Sequence, residues 1–348
     1  VTTINIGILG CGNISQTHAR AALEIDNVRV SAVCGQNPEK VARLAGITGA
    51  TAYHHLEQFL SHKPMDLVLI GSPSSLHADQ GIAAARHRLH VLVEKPIDIS
   101  VDRADALIAA CEQAGVKLGV FFQDRAAPDI VALKKVIDDG RLGKPILVSA
   151  SVRWHRPPEY YSESRWRGTW ALDGGGALMN QGIHTVDLLL WLFGDVRRTW
   201  ARAVTSLHDI DVEDTVVASL EFENGAIGCL EAATSAFPGM PRRIAMTWSQ
   251  GTIVVENDRI RSANLRAEIE QLTRLTAEAR PGEYERSTSA VVSDVAGHRA
   301  LIEDFIRAIE TDGTPMCDGP QARRSVQLVR AIYESSRTGL PMSPSGHS

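Results

Sequence analysis

From Ile4 to Phe122 the chain repeats a single unit: a short apolar run followed by a stretch with helical periodicity. The runs are Ile4–Leu9, Val28–Val33, Asp66–Ile70, His90–Val93 and Lys117–Phe122. Such runs are apolar on both faces, which a strand tolerates only when helices cover both sides of its sheet. The pattern therefore predicts a parallel, doubly wound α/β sheet with right-handed crossovers. After Phe122 the pattern changes. A helix over Ala127–Asp138 and a strand over Ile146–Arg153 lead into a stretch rich in Trp, Tyr, Arg and Pro that runs to Gly176. Val212–Phe222, the pair Asn224-Gly225 and Ala226–Thr234 read as a hairpin, for which Asn-Gly predicts a type I′ turn. Ile244–Trp248 and Thr252–Val255 read as further antiparallel strands, 264–293 as a loop region or lid, and His298–Glu310 and Ala322–Thr338 as closing helices. The expected division is a dinucleotide-type domain over 1–122 and a second domain over 123–348.

Composition narrows the function. With 348 residues, 44% of them hydrophobic and 22% charged, the chain has the make-up of a folded globular protein. A net charge of -5 with scattered basic residues gives no footprint for nucleic acid, and there is no apolar run of membrane length. Cys11, Cys34, Cys111, Cys229 and Cys317 are widely spaced, matching neither a disulfide framework nor a metal site. A reducing cytoplasm and a small-molecule partner are the expectation.

The first strand runs into Gly10-Cys11-Gly12-Asn13-Ile14-Ser15 and then a helix. Glycine first permits a tight turn. Glycine third lets a pyrophosphate approach the backbone at a helix N-terminus, with Asn13 and Ile14 next in line. Ser15 stands where Gly or Ala is usual. At the end of the second strand, Cys34-Gly35-Gln36-Asn37-Pro38 lacks the carboxylate that selects NAD, and no arginine is present to clamp a 2′-phosphate; Asn37 is placed to cap the next helix. NAD and NADP both remain open. Ser72-Pro73-Ser74-Ser75-Leu76-His77 follows the strand Asp66–Ile70 and Glu94-Lys95-Pro96 follows His90–Val93, so both face the crevice where ligands of such sheets bind. In the second domain, Gly174-Gly175-Gly176 leads into a helix that places Asn180, His184 and Asp187 at i, i+4 and i+7 on one face. That polar stripe is either a buried network or an active-site wall.

Taken together, these motifs resemble the Gfo/Idh/MocA oxidoreductases. The likeness spans both domains: the G-x-G turn, the Ser-Pro-Ser stretch with His77, Glu94-Lys95-Pro96, Gln123 with Arg125, Trp166-Arg167, Asn180 to Asp187, and a tail from His298 to Gly339. The resemblance implies a Rossmann domain plus an α/β domain with an open, mainly antiparallel sheet used for substrate binding and for contacts in a homodimer or homotetramer. It implies that Lys95 and His184 flank the reacting carbon of a sugar, nucleotide-sugar or cyclitol. Gly10, Gly12, Asn13, Ile14, Gly35, Asn37, Ser72, Pro73, His77, Glu94, Lys95, Gln123, Trp166 and Arg167 would serve NAD or NADP. Inositol dehydrogenase-like members carry Asp where this chain has Asn180, which turns the expectation away from inositol. Arg153, Tyr161, Asn180 and Asp187 are the candidate substrate contacts, since aromatic faces stack on sugars and arginine reaches acidic groups. Two other classes stay open. One is an NAD-dependent glycosidase with a transient hydride step; the other is a cofactor-sensing regulator, which would be expected to lose Lys95 and His184.

Overall fold

The computed structural model describes residues 3–164, 166–278 and 295–345. They form two compact units. The first comprises residues 3–123 with 295–323, the second 124–278 with 324–345. The chain first crosses between the units after Gln123 and returns to the first unit near its end, a return that the sequence pattern did not suggest.

The first unit is a six-stranded parallel sheet in the order β3-β2-β1-β4-β5-β6. Its strands are β1 (Ile4–Leu9), β2 (Val28–Cys34), β3 (Thr51–Tyr53), β4 (Leu67–Ile70), β5 (His90–Glu94) and β6 (Leu118–Phe121). β3 escaped the sequence reading because it is three residues long and none of them is buried. β1, β2, β4 and β5 are interior strands, β6 is the other edge, and every residue of β4 and β6 is buried. Between them run α1 (Asn13–Leu23), α2 (Pro38–Thr48), α3 (Leu56–Leu60), α4 (His77–Arg86) and α5 (Val101–Ala114). The order 3-2-1-4-5-6 reverses direction at β1/β4, and ligands of such sheets bind at that switch point, beyond the strands' carboxyl ends.

In the second unit, α6 (Pro128–Asp138), β7 (Pro145–Arg153), a one-turn α7 (Glu159–Ser162) and α8 (Ile183–Phe193) precede six further strands. These are β8 (Val196–Val204), β9 (Thr215–Phe222), β10 (Ile227–Ala233), β11 (Arg243–Trp248), β12 (Gly251–Glu256) and β13 (Arg259–Leu265). The sheet order is β13-β12-β11-β7-β10-β9-β8. β7 and β10 pair in parallel and all other neighbours are antiparallel, so the sheet is mixed and mainly antiparallel, as expected. Burial alternates along β9, and the open face carries Leu147, Trp200, Val217 and Ile227. The β9–β10 turn is not type I′. That turn needs positive φ at both central residues, and here only Gly225 has it (φ 84). Gly225 N donates to Phe222 O (3.0 Å) and Phe222 N to Ala226 O (2.9 Å), the closure of a three-residue loop ending in a left-handed glycine. Part of the expected 264–293 loop is instead helical, α9 (Glu270–Glu278); 279–293 lies outside the described residues. The chain closes with α10 (Ala296–Glu310), in the first unit, and α11 (Gly319–Thr338), which begins there and ends in the second.

Candidate active site

In the first unit, Gly10 has φ +105, a conformation side chains rarely adopt, and a Cβ there would lie 2.6 Å from Gly71 O. Gly12 differs. A Cβ added to it would meet nothing within 4 Å, so packing does not demand glycine there. The open space borders the N-terminus of α1, where Asn13 and Ile14 begin the helix with unpaired-type N–H groups, as a pyrophosphate requires. Ser15 fits the third position because room for it comes from another strand: it is fully buried, and a Cβ on Gly71 would sit 3.0 Å from its Oγ. At the second-strand corner Asn37 Oδ1 accepts from Lys40 N (3.0 Å), capping α2. Gly35 lies against Cys11: a Cβ there would be 2.8 Å from its Sγ.

The ends of β4 and β5 are tied by an interior imidazole. His77 is 1% exposed, with Nδ1 2.7 Å from Pro96 O and Nε2 3.0 Å from Ser72 O. Burial pulls its pKa down, and a neutral ring can donate to only one of those carbonyls. Ser72 Oγ donates to Gln80 Oε1 (2.7 Å), and Pro73 follows in extended backbone. Glu94 turns inward instead of facing a ligand. Its Oε1 is 2.9 Å from His18 Nε2 and 3.5 Å from His298 Nε2, and its Oε2 accepts from Lys95 N (3.2 Å). Burial alone would raise this carboxyl; the two imidazoles outweigh it and hold it well below the usual carboxylate range. The Glu94 side chain is thus engaged with His18, His298 and the Lys95 amide. Lys95 and Gln123 are half-buried.

In the second unit the expected single helix carrying Asn180, His184 and Asp187 is broken. Ala177–Gly182 is a π-helical turn and α8 starts only at Ile183. The three side chains consequently meet different partners. Asn180 Nδ2 donates to Asp173 Oδ1 (3.0 Å). His184 Nδ1 lies 3.6 Å from Asp124 Oδ2, and Asp124 is also paired with the buried Arg242. Asp187 is 1% exposed and both its oxygens accept from Arg125, Nε at 2.7 Å and Nη2 at 2.7 Å. Burial pushes the Asp187 carboxyl up, against the pull of that guanidinium. The structure therefore places Asp187 in the interior, where it cannot line a substrate wall.

Two more substrate candidates are placed elsewhere. Arg153 stands on the open face of the sheet, donating to Glu231 Oε2 (2.7 Å). Tyr161 is 8% exposed and shares a hydrogen bond with Thr234 Oγ1 (2.8 Å). Its neighbour Tyr160 is the tyrosine that stands beside arginines. Tyr160 Oη accepts from Gln181 Nε2 (3.0 Å), and its ring has the Arg167 guanidinium at 4.2 Å and that of Arg156 at 5.4 Å. Arg167 also lies 5.2 Å from the ring of Trp166. Arg156 is 4% exposed, and burial lowers its pKa, with Arg167 adding like-charge repulsion. Neither Tyr160, Arg156 nor Gln181 has a sequence signature of its own. Only the Arg- and Tyr-rich character of the stretch hinted at them.

A 3-2-1-4-5-6 parallel sheet with a glycine turn at the first helix defines a dinucleotide-binding protein. Residues 4–122 match the family model described as an oxidoreductase family with an NAD-binding Rossmann fold, and residues 130–254 match the GFO/IDH/MocA C-terminal domain. The chain belongs to the Gfo/Idh/MocA family. It is similar to the WlbA dehydrogenase from Bordetella pertussis, solved in complex with NADH and UDP-GlcNAcA, at 31% identity and TM-score 0.89 over 98% of each chain. It is 28% identical to D-xylose 1-dehydrogenase (NADP(+)) 2 of Haloferax volcanii, over 96% of this chain and 97% of that protein. With inositol 2-dehydrogenase of Rhizobium meliloti it shares 29% over 74% and 77%. The chain is accordingly an NAD(P)-dependent oxidoreductase that moves a hydride at a CH–OH carbon, with a sugar, nucleotide-sugar or cyclitol as the substrate class.

Proposed function

We propose that the substrate is a sugar bearing an acidic group, of the nucleotide-linked sugar acid kind, oxidised or reduced at a ring carbon. The observation that carries this is the convergence of two guanidiniums, Arg156 and Arg167, on the Tyr160 ring beside Gln181. A carboxylate or phosphate relieves both the desolvation and the mutual repulsion of the two cations, and the aromatic face suits a sugar ring. The complex of the WlbA dehydrogenase with UDP-GlcNAcA supports the same substrate class.

The cofactor site is the open space over Gly12 at the α1 N-terminus, with Asn13, Ile14 and the Gly35–Asn37 corner around it. A dinucleotide held there would supply a nicotinamide able to accept or give the hydride. Lys95 hydrogen-bonds the oxygen on the reacting carbon and polarises it. His184 takes the hydroxyl proton in oxidation and returns it in reduction; the Asp124 carboxylate 3.6 Å away stabilises the imidazolium that forms. Asn180 hydrogen-bonds a substrate hydroxyl but cannot titrate, so the proton falls to His184. A homo-oligomer built on the open sheet face, with its exposed Leu147, Trp200, Val217 and Ile227, and a cytoplasmic location suited to five unbridged cysteines complete the proposal.

Nicotinamide absorbance followed over paired acidic and neutral sugars, free and nucleotide-linked, tests the reading. Arg167→Ala is expected to raise KM for the acidic member of a pair at least about tenfold and to leave the neutral one unchanged. Lys95→Ala and His184→Ala should each lower kcat by about 10²–10⁴. Preference for the neutral sugars, or substrate cleavage without net absorbance change, would overturn it.

A further inference from the structure

We propose that Glu213 and Tyr333 are a positioning pair that fixes the π-helical turn Ala177–Gly182, and through it the settings of Asn180 and His184. The proposal rests on the roles given to those two residues above.

A helix start leaves backbone N–H groups without partners, and a side chain one to three residues upstream normally caps them. Here the residue at that position is Gly176, which has no side chain to offer. The partners come from far along the chain. Glu213 Oε2 accepts from Gly176 N (2.9 Å), Oε1 accepts from Leu178 N (2.8 Å), and the Glu213 carbonyl accepts from Ala177 N (3.0 Å). Tyr333, on α11, donates its hydroxyl to Glu213 Oε1 (2.8 Å) and accepts from Met179 N (3.2 Å). Four successive amides thus hang on two residues. The glycine run before them has the same cause. A Cβ on Gly175 would lie 2.2 Å from Tyr333 Oη, and one on Gly176 would lie 1.8 Å from Glu213 O. No other residue permits the approach, so the glycines and the anchor are one device. Asn180 is the next residue after these amides, and α8, with His184, follows without a break.

The anchor also has a defined response to pH. Burial pushes the Glu213 carboxyl up to about 7, in spite of its donors. The groups facing it are the Tyr333 hydroxyl from α11 and backbone amides from the glycine segment. Its neighbour Asp214 turns away, to the amides of Ser206, Leu207 and His208. A carboxyl that binds its proton more tightly in the closed turn than in an opened, solvated one holds the turn shut while protonated. The anchor therefore loosens progressively as pH rises from about 4.5 to about 7.

The test combines kinetics with amide hydrogen exchange on the full-length enzyme, using Tyr333→Phe and the conservative Glu213→Gln. Tyr333→Phe should speed exchange across 174–184 beyond the intrinsic rate, lower kcat or raise substrate KM by about tenfold to a hundredfold, and leave NAD(H) affinity unchanged. Glu213→Gln removes the titrating group. It should abolish the loss of protection that wild type shows as pH rises from about 4.5 to about 7. Wild-type exchange in Tyr333→Phe, or faster exchange with kcat and KM unaltered, would refute the anchor. If His184→Ala were as active as wild type while Tyr333→Phe still exchanged faster and bound substrate more weakly, the proton-carrier reading would fail and the anchor would stand.

Discussion

The first unit surrounds the buried Glu94 with two imidazoles, whereas the second leaves the buried Glu213 among backbone amides and a phenol. The consequence is opposite titration. Glu94 stays ionised far into acid, while Glu213 is raised to about 7. In the first unit His18 and His77 are also held neutral by burial, so below about pH 6.5 the unfolded chain takes up protons that these rings refuse. That unit loses stability as pH falls. In the second unit the folded Glu213 keeps its proton between about 4.5 and 7 while an unfolded glutamate gives it up, so stability falls as pH rises through that window. A buried carboxylate held by imidazoles stays ionised far into acid; a buried carboxyl offered only dipoles titrates near neutrality.

The second unit also holds acids by direct pairing with arginine, and breaking the Asp187–Arg125 pair gives the largest expected effect. Asp187→Asn leaves Arg125, which is 0% exposed, without its counter-charge, and should cost about 3–5 kcal/mol in urea unfolding. A loss below about 1 kcal/mol would mean that solvent reaches this pair, and the contrast with Glu213 would vanish.

The next effect sharpens the comparison directly. Relative to wild type, Glu213→Gln should gain stability on going from pH 5 to pH 8, by an amount on the order of 3 kcal/mol for a carboxyl displaced from 4.5 to about 7. Denaturation of both proteins at the two pH values measures it. Parallel pH profiles would show that Glu213 titrates as an ordinary exposed acid does.

What the sequence made legible follows from how local its causes are. Five of the six strands of the first sheet announced themselves because each is a buried apolar run bounded by turns, and the G-x-G turn did so because φ at Gly10 and the space over Gly12 are properties of a few adjacent atoms. The second unit was harder. Its Asn180–His184–Asp187 stripe assumed a regular helix, and the π-helical turn that breaks it is imposed by Glu213 and Tyr333, residues 35 and 154 positions away along the chain. The sequence offers Tyr161 as the substrate-side tyrosine, while the structure sets Tyr160 beside the arginines; choosing between adjacent residues on a one-turn helix depends on packing that no periodicity records. Arg153 belonged to a strand whose alternation could be read, but which face lay open could not.

The smallest expected effect concerns Asn37, where fold and cofactor choice meet in one side chain. Asn37 Oδ1 caps α2 by accepting from Lys40 N, so Asn37→Ala should cost about 1 kcal/mol of stability, as losing a cap does. Asn37→Asp keeps the acceptor and places a negative charge at the positive end of the helix, which should be neutral or stabilising by up to about 1 kcal/mol. The same charge stands at the corner after β2, where a ribose 2′-phosphate would approach, so the two substitutions part in function. Asn37→Ala should leave the ratio of kcat/KM for NAD and NADP close to wild type. Asn37→Asp should move it toward NAD by roughly tenfold, since a carboxylate there accepts from a 2′-hydroxyl and repels a phosphate. Gly35→Asp is the less informative probe of this corner, because its Cβ would meet Cys11 Sγ at 2.8 Å and shift the glycine turn itself. An unchanged ratio in Asn37→Asp, with the fold intact, would place the ribose away from this corner and leave Asn37 a cap and nothing more.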